Sequence, residues 1–194
     1  MTTLESALQR IAADLRRSNV DFALIGGLAV SVRTEPRFTR DADFAVAVAG
    51  DLEAEALIRS LRTHGYDVQT LVEQDAVGRL ATVRLAVAGE TDGPVLDLLF
   101  ASSGIEREVV SAADPLELLP GLTVKVAGVG HLVALKILSR DDVRRPQDIT
   151  DLRALLRVAT AADIESAREA LGLITRRGYH RQRDLVPQFE ALLA

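Results

Sequence analysis

Apolar residues recur at Leu4, Leu8, Ile11 and Leu15, the spacing of one helix face, and Thr2-Thr3-Leu4-Glu5 ahead of them reads as a capping box. The helix predicted here ends near Ser18-Asn19. Residues 20–25 form a short apolar run that predicts a buried strand. Gly26-Gly27 closes it, and residues 28–32 predict a short helix. Residues 34–40 read as a polar loop around Pro36. In the strand predicted over 41–48, Ala42, Phe44, Val46 and Val48 share one face, and Asp41, Asp43, Ala45 and Ala47 share the other. A helix over 51–64 buries Leu57, Ile58 and Leu61 and stops at Gly65, with His64 at its end. Residues 66–72, 80–87 and 94–100 predict three further strands, with Gly89 and Gly93 bracketing the last turn. Residues 105–113 predict a short helix, and 116–126 an extended or irregular stretch broken at Pro120-Gly121. Beyond Val129 the period is helical throughout, over 131–140, 146–158, 161–175 and 185–193.

This order predicts an α/β (α+β) fold: a mixed sheet flanked by helices, followed by a C-terminal helical lobe. The expected division is 1–126 for the sheet-bearing domain and 127–194 for the lobe. With 194 residues and no Cys, the chain needs no disulfide framework and has neither a thiolate zinc site nor a cysteine nucleophile. Its three His residues, His64, His131 and His180, are too scattered for a His-rich metal site. The absence of Trp argues against stacking platforms for single-stranded nucleic acid. The opening segment has no basic n-region or apolar h-region, and no run of about 18 apolar residues occurs. Neither a signal peptide nor a membrane span is expected, and the cytoplasm is the expected compartment. Net charge is −5 but unevenly spread. From Lys125 onward 12 Lys and Arg face 9 Asp and Glu, so the excess of acid lies in the first part. The acidic part could hold cations and the basic part could meet an anion.

Asp41 and Asp43 project from one face of a strand, where like charges repel unless a cation lies between them or both side chains reach water at a strand end. Asp97 interrupts the apolar strand Val95-Leu96-Asp97-Leu98-Leu99, and a carboxylate there needs a partner, either a buried Arg or a shared metal. One metal cluster on adjacent strands accounts for all three. Hard cations such as Mg²⁺ take such oxygen ligands together with substrate phosphates. Gly26-Gly27, at the start of a helix, lets backbone amides approach a phosphate. Arg33, Arg37 and Arg40 crowd the following loop, where they could neutralise phosphate charge. Lys136 interrupts a helix that is apolar nearly all round, so its ammonium needs a partner. Two readings stand: a structural network with Arg140, Asp148 and Asp151, or contact with a triphosphate.

Three motifs together, Ile25-Gly26-Gly27-Leu28-Ala29, Arg37-Phe38-Thr39-Arg40-Asp41-Ala42-Asp43-Phe44 and Leu96-Asp97-Leu98-Leu99, resemble the DNA polymerase β-type nucleotidyltransferase superfamily. They look most like its abortive-infection nucleotidyltransferase toxins of the AbiEii type. Leu135-Lys136-Ile137, Arg140 and residues 146–152 resemble later motifs of that group, and residues 176–179 with 183–185 do so more weakly. The resemblance covers roughly residues 20–160. It implies an enzyme transferring NMP from an NTP to a hydroxyl, with release of pyrophosphate. It implies that Gly26, Gly27, Arg37 and Lys136 bind nucleotide. Asp41 and Asp43 would ligate two Mg²⁺, and Asp97 would ligate the ion that activates the attacking hydroxyl. It also implies a toxin of a toxin–antitoxin pair, with a cognate antitoxin and a tRNA or protein hydroxyl as acceptor, and no stable DNA binding. The rivals are an antibiotic-type small-molecule nucleotidyltransferase and a catalytically silent protein of the same fold. The presence of all three Asp argues against the silent rival.

Overall fold

The computed structural model describes residues 3–36, 39, 41–90, 93–141 and 145–193. Its elements run α1 (Thr3–Arg17), β1 (Asp21–Ile25), α2 (Gly26–Arg33), β2 (Asp41–Ala47), α3 (Asp51–Thr63), β3 (Tyr66–Gln74), β4 (Arg79–Val87), β5 (Val95–Leu99), α4 (Glu106–Ser111), β6 (Asp114–Leu119), β7 (Leu122–Val126), α5 (Val129–Ser139), α6 (Gln147–Val158), α7 (Ala161–Arg176) and α8 (Leu185–Leu193). The expected mixed sheet with flanking helices and a helical second half is the fold observed. The expected capping box at the first helix involves Thr2, which lies outside the described residues. A complete capping box occurs instead at α7, where Thr160 and Asp163 cap each other's amides.

All seven described strands join one sheet in the order β3-β4-β5-β2-β1-β7-β6. β2 and β5 are parallel neighbours at its centre, β1 and β7 are parallel, and the other pairs are antiparallel. One face carries the row Leu24, Phe44, Leu98 and Val83 across four strands, each fully buried. Phe22 meets Phe44 edge to face at 5.8 Å on this side. Helix α1 rests on β1 and α3 on β3 and β4, while α2 and α4 lie against β1 and β2. Helix α5 touches α2 and forms the hub of the helical half, packed against α6, α7 and α8.

The stretch over 116–126, expected to be extended or irregular, is extended, in a hairpin of β6 and β7 turned at Pro120-Gly121, with a register shift between Glu117 and Leu119. Pro115 sits inside β6. It is tolerated because β6 is the last strand of the sheet, where a missing amide donor breaks no ladder on the open side. The hairpin is tied back to α2 by Arg33. Its guanidinium donates to the Ala127 and Val126 carbonyls, at 3.0 and 2.7 Å, and to Asp114 at 2.7 Å. Arg33 is thereby committed to architecture rather than to the loop after α2.

Candidate active site

The other face of the central strands carries a polar row. Ile25 of β1 pairs with Asp43 of β2, Asp43 with Asp97 of β5, and Asp97 with Arg84 of β4. Side chains paired directly across neighbouring strands share a face, so Asp43, Asp97 and Arg84 stand side by side across the sheet, on strands about 4.8 Å apart. Asp41, two residues before Asp43, belongs to the same face and is exposed, whereas Asp97 is 8% exposed and Asp43 intermediate. The common face expected for the three carboxylates is the one observed.

Charge, not side-chain direction, sets what they do there. Arg84 forks onto Asp97, with Nε donating to Oδ1 at 2.9 Å and Nη2 to Oδ2 at 2.8 Å. Both Asp97 oxygens are therefore engaged by a guanidinium that is itself half exposed. Asp43 turns the other way, toward the end of β1. Gly26 takes a left-handed backbone there (φ +67), and a Cβ on it would lie 1.9 Å from the Asp43 Oδ2. Only glycine meets both demands. Burial, then repulsion from Asp97 and Asp41, pushes the Asp43 carboxyl up to about 6, against the pull of Lys136 and Arg145. Gly27 is the second residue of α2, and its carbonyl accepts the Ser31 hydroxyl at 3.1 Å.

These residues open into a cleft of about 210 Å³ between the sheet and the helical half. Gly26, Asp43 and Asp97 line one side, Thr82, Ser102 and Ser103 the floor, and Lys136, Ser139, Arg145 and Arg181 the helical wall. The floor is fixed by the buried Glu106, which accepts from the Ser103 amide at 2.7 Å and its hydroxyl at 2.9 Å. Lys136 lines the cleft, but its ammonium lies 2.7 Å from both Asp148 and Asp151, all three buried. Arg145 adds a contact to Asp148 at 3.3 Å. This is the geometry of the structural network, one of the two arrangements open to Lys136 in the sequence. Arg37 and Arg40 lie outside the described residues. His64 caps α3 as expected, and His131 lines a separate cavity with Glu108, where burial lowers its pKa.

Carboxylate oxygens on one face of a cleft are the donor chemistry of a hard cation. Asp43, lining the cleft, and Asp41, on the same sheet face, have donors of that kind, and the missing Cβ of Gly26 is what makes space for the Asp43 carboxylate itself. Asp97 fits it only once Arg84 lets go. Among the described residues no group of three or more His, Cys, Asp or Glu side chains is arranged to hold a metal ion.

Sequence reasoning missed Arg84, Arg145 and Arg181. The alternation of Thr82 and Arg84 along β4 was a signal for the first, but pairing with Asp97 depends on strand order. Arg181 stands in a stretch noted only for its weak resemblance.

A family model described as nucleotidyl transferase AbiEii toxin, type IV TA system, matches residues 7–193. No curated protein matches the sequence. Among solved structures, an antigenic nucleotidyltransferase-like protein from Paracoccidioides brasiliensis is 21% identical with a TM-score of 0.54, over 97% of this chain and 92% of that one. The antibiotic-resistance factor ANT(2'')-Ia is 20% identical with a TM-score of 0.58, over 91% and 94%. The lincosamide antibiotic adenylyltransferase LnuA is 14% identical with a TM-score of 0.50, over 80% and 98%. At these identities the likeness is one of fold.

Proposed function

The chain belongs to the nucleotidyl transferase AbiEii toxin family of type IV toxin–antitoxin systems, and from that premise we propose that it moves an NMP from an NTP to a hydroxyl on RNA, with tRNA the leading acceptor. The family makes it a nucleotidyltransferase with an NTP substrate and an antitoxin partner; the acceptor, the metal and the site residues are our reading. The observation that carries it is the fit of Asp43 over Gly26, at the mouth of α2 and beside the Asp97–Arg84 fork. A carboxylate, a side-chain-free turn and a helix N-terminus meet at one cleft, which suits a polyphosphate.

In this reading residues 1–126 carry the chemistry and 127–194 close the cleft. Asp41 and Asp43 would hold Mg²⁺, with Asp97 joining when Arg84 releases it. A bound divalent cation would neutralise phosphate charge and acidify the acceptor hydroxyl. Gly26 and Gly27 offer backbone to the phosphates without a side chain in the way. Lys136 braces the helical wall through Asp148 and Asp151. Ser103, held by Glu106, keeps the floor in place. Nothing here asks for a covalent nucleophile, in keeping with a chain without Cys. No helix among the described residues is long and apolar enough to cross a membrane.

The test is incubation with each labelled NTP, Mg²⁺ and total cellular RNA, with and without Asp43→Ala. Label should enter RNA from the wild type and not from the variant. Label entering protein, or lincomycin and tobramycin in place of RNA, would reassign the acceptor. No transfer from any NTP to any of these would overturn the reading.

A further inference from the structure

Three arginines follow α7, and two have structural duties. Arg177 donates to the Gly104 carbonyl and to Glu108, at 2.5 and 2.6 Å, joining α7 to the cleft floor. Arg183 donates to the carbonyls of Leu138 and Arg140, at 3.1 and 3.2 Å, closing the C-terminal end of α5. Arg181 between them has neither a hydrogen bond nor an acidic partner among the described residues, and it lines the cleft. Its backbone is left-handed (φ 53), as is that of Gln182 (φ 56). Two such residues in succession are uncommon outside glycine and persist where surrounding contacts enforce them. Arg183 supplies that enforcement from the next turn.

The charges around Arg181 are of its own sign. Its side chain is exposed at the cleft, and partial desolvation, then its electrostatic neighbours Arg183 and Arg145, lower its affinity for its proton. A guanidinium stays ionised all the same, so this wall of the cleft holds a cation without an acidic partner among the described residues, facing an opposite side that is acidic. Lys136 cannot fill this role as placed, because two carboxylates share its ammonium.

We propose that Arg181, assisted by Arg145, binds the polyphosphate of the NTP and stabilises the departing pyrophosphate. The proposal rests on the nucleotidyltransferase reading of this cleft. In the transfer, a bond forms from the acceptor oxygen to the α-phosphorus as the bond from that phosphorus to the bridging oxygen breaks. The bridging oxygen leaves with the electron pair on pyrophosphate, and the hydroxyl proton passes to water. Negative charge grows on the leaving group, and a fork of N–H donors facing it lowers the barrier.

The experiment measures equilibrium binding of inorganic pyrophosphate and of each NTP to wild type, Arg181→Ala, Arg181→Lys and the control Arg176→Ala, which lies outside the cleft lining. Steady-state KM for NTP and for RNA is measured on the same samples. Arg181→Ala should bind pyrophosphate and NTP about ten- to a hundredfold more weakly. Its KM for RNA and its thermal midpoint should be unchanged. Arg181→Lys should recover part of the affinity, and Arg176→Ala should match wild type. A raised KM for RNA with unchanged NTP and pyrophosphate binding would reassign Arg181 to the acceptor and overturn the proposal, as would no change in any quantity. If the wild type itself binds neither NTP nor pyrophosphate, the underlying nucleotidyltransferase reading fails, and the proposal with it.

Discussion

Lys136→Met keeps the apolar stem of the side chain and removes its charge. In the wild type, the ammonium lies 2.7 Å from Asp148 and 2.7 Å from Asp151, and the three side chains are 7, 0 and 2% exposed. Two carboxylates then lose their common cation where water cannot replace it. Removing one partner of a buried pair costs about 3–5 kcal/mol. Arg145, at 3.3 Å from Asp148, recovers a part, which favours the lower half of that range. For a chain of this length each kcal/mol moves the thermal midpoint about 2–4 °C, so a fall of about 6–16 °C is expected. Urea unfolding followed by far-UV circular dichroism measures the free energy directly. The triple variant Lys136→Met, Asp148→Asn, Asp151→Asn should recover most of the loss, because no ionised carboxylate remains buried without its cation. NTP affinity of the folded Lys136→Met protein should change less than tenfold. A loss of stability under about 1 kcal/mol, together with a collapse of NTP affinity, would refute the structural role and return Lys136 to the triphosphate.

Asp43 makes stability depend on pH. Its folded pKa of about 6 exceeds the ordinary 3.8, so the folded state holds more protons between those values and stability falls as pH rises through that window. Asp43→Asn should therefore be more stable than wild type at pH 7.5, by at most about 3 kcal/mol, and equal to it below about pH 4; equal midpoints at both pH values would refute the burial argument. Gly26→Ala, with its Cβ forced onto the Asp43 carboxylate at a positive φ, should lose more than about 1–2 kcal/mol in urea unfolding and all NMP transfer; a stable, active variant would remove Gly26 from the site. Arg84→Gln frees Asp97, so added Mg²⁺ should raise the thermal midpoint more in this variant than in wild type. An equal rise would mean that Asp97 does not take part in holding the ion.

The alternation around Asp41 and Asp43 and the lone Asp97 in an apolar strand were legible because a two-residue period fixes faces without knowledge of neighbours. The helical half was legible for the same reason at a period of 3.6. The β6–β7 hairpin was not, since Asp114, Pro115 and Glu117 are poor strand formers and only an edge position makes them tolerable. Asp97 illustrates the limit at the site. Its need for a partner is local chemistry, and both a guanidinium and a metal answer it. Only the order β4-β5-β2, which no single segment encodes, sets Arg84 on one side and Asp43 on the other. Lys136 posed the same kind of choice, decided by where α6 packs.

The row from Ile25 through Asp43 and Asp97 to Arg84 has a consequence for folding errors. A slip of β5 by one residue against β2 would bring Leu96 or Leu98 beside Asp43 and turn Asp97 into the apolar layer. The same slip would expel two fully buried leucines to the cleft side. Misregistered chains thus lose their cohesion and their chemistry in one step, and no near-native species keeps one without the other. The fraction of chains able to act should equal the fraction that unfolds cooperatively, so a partly misfolded preparation is diluted in activity rather than altered in it.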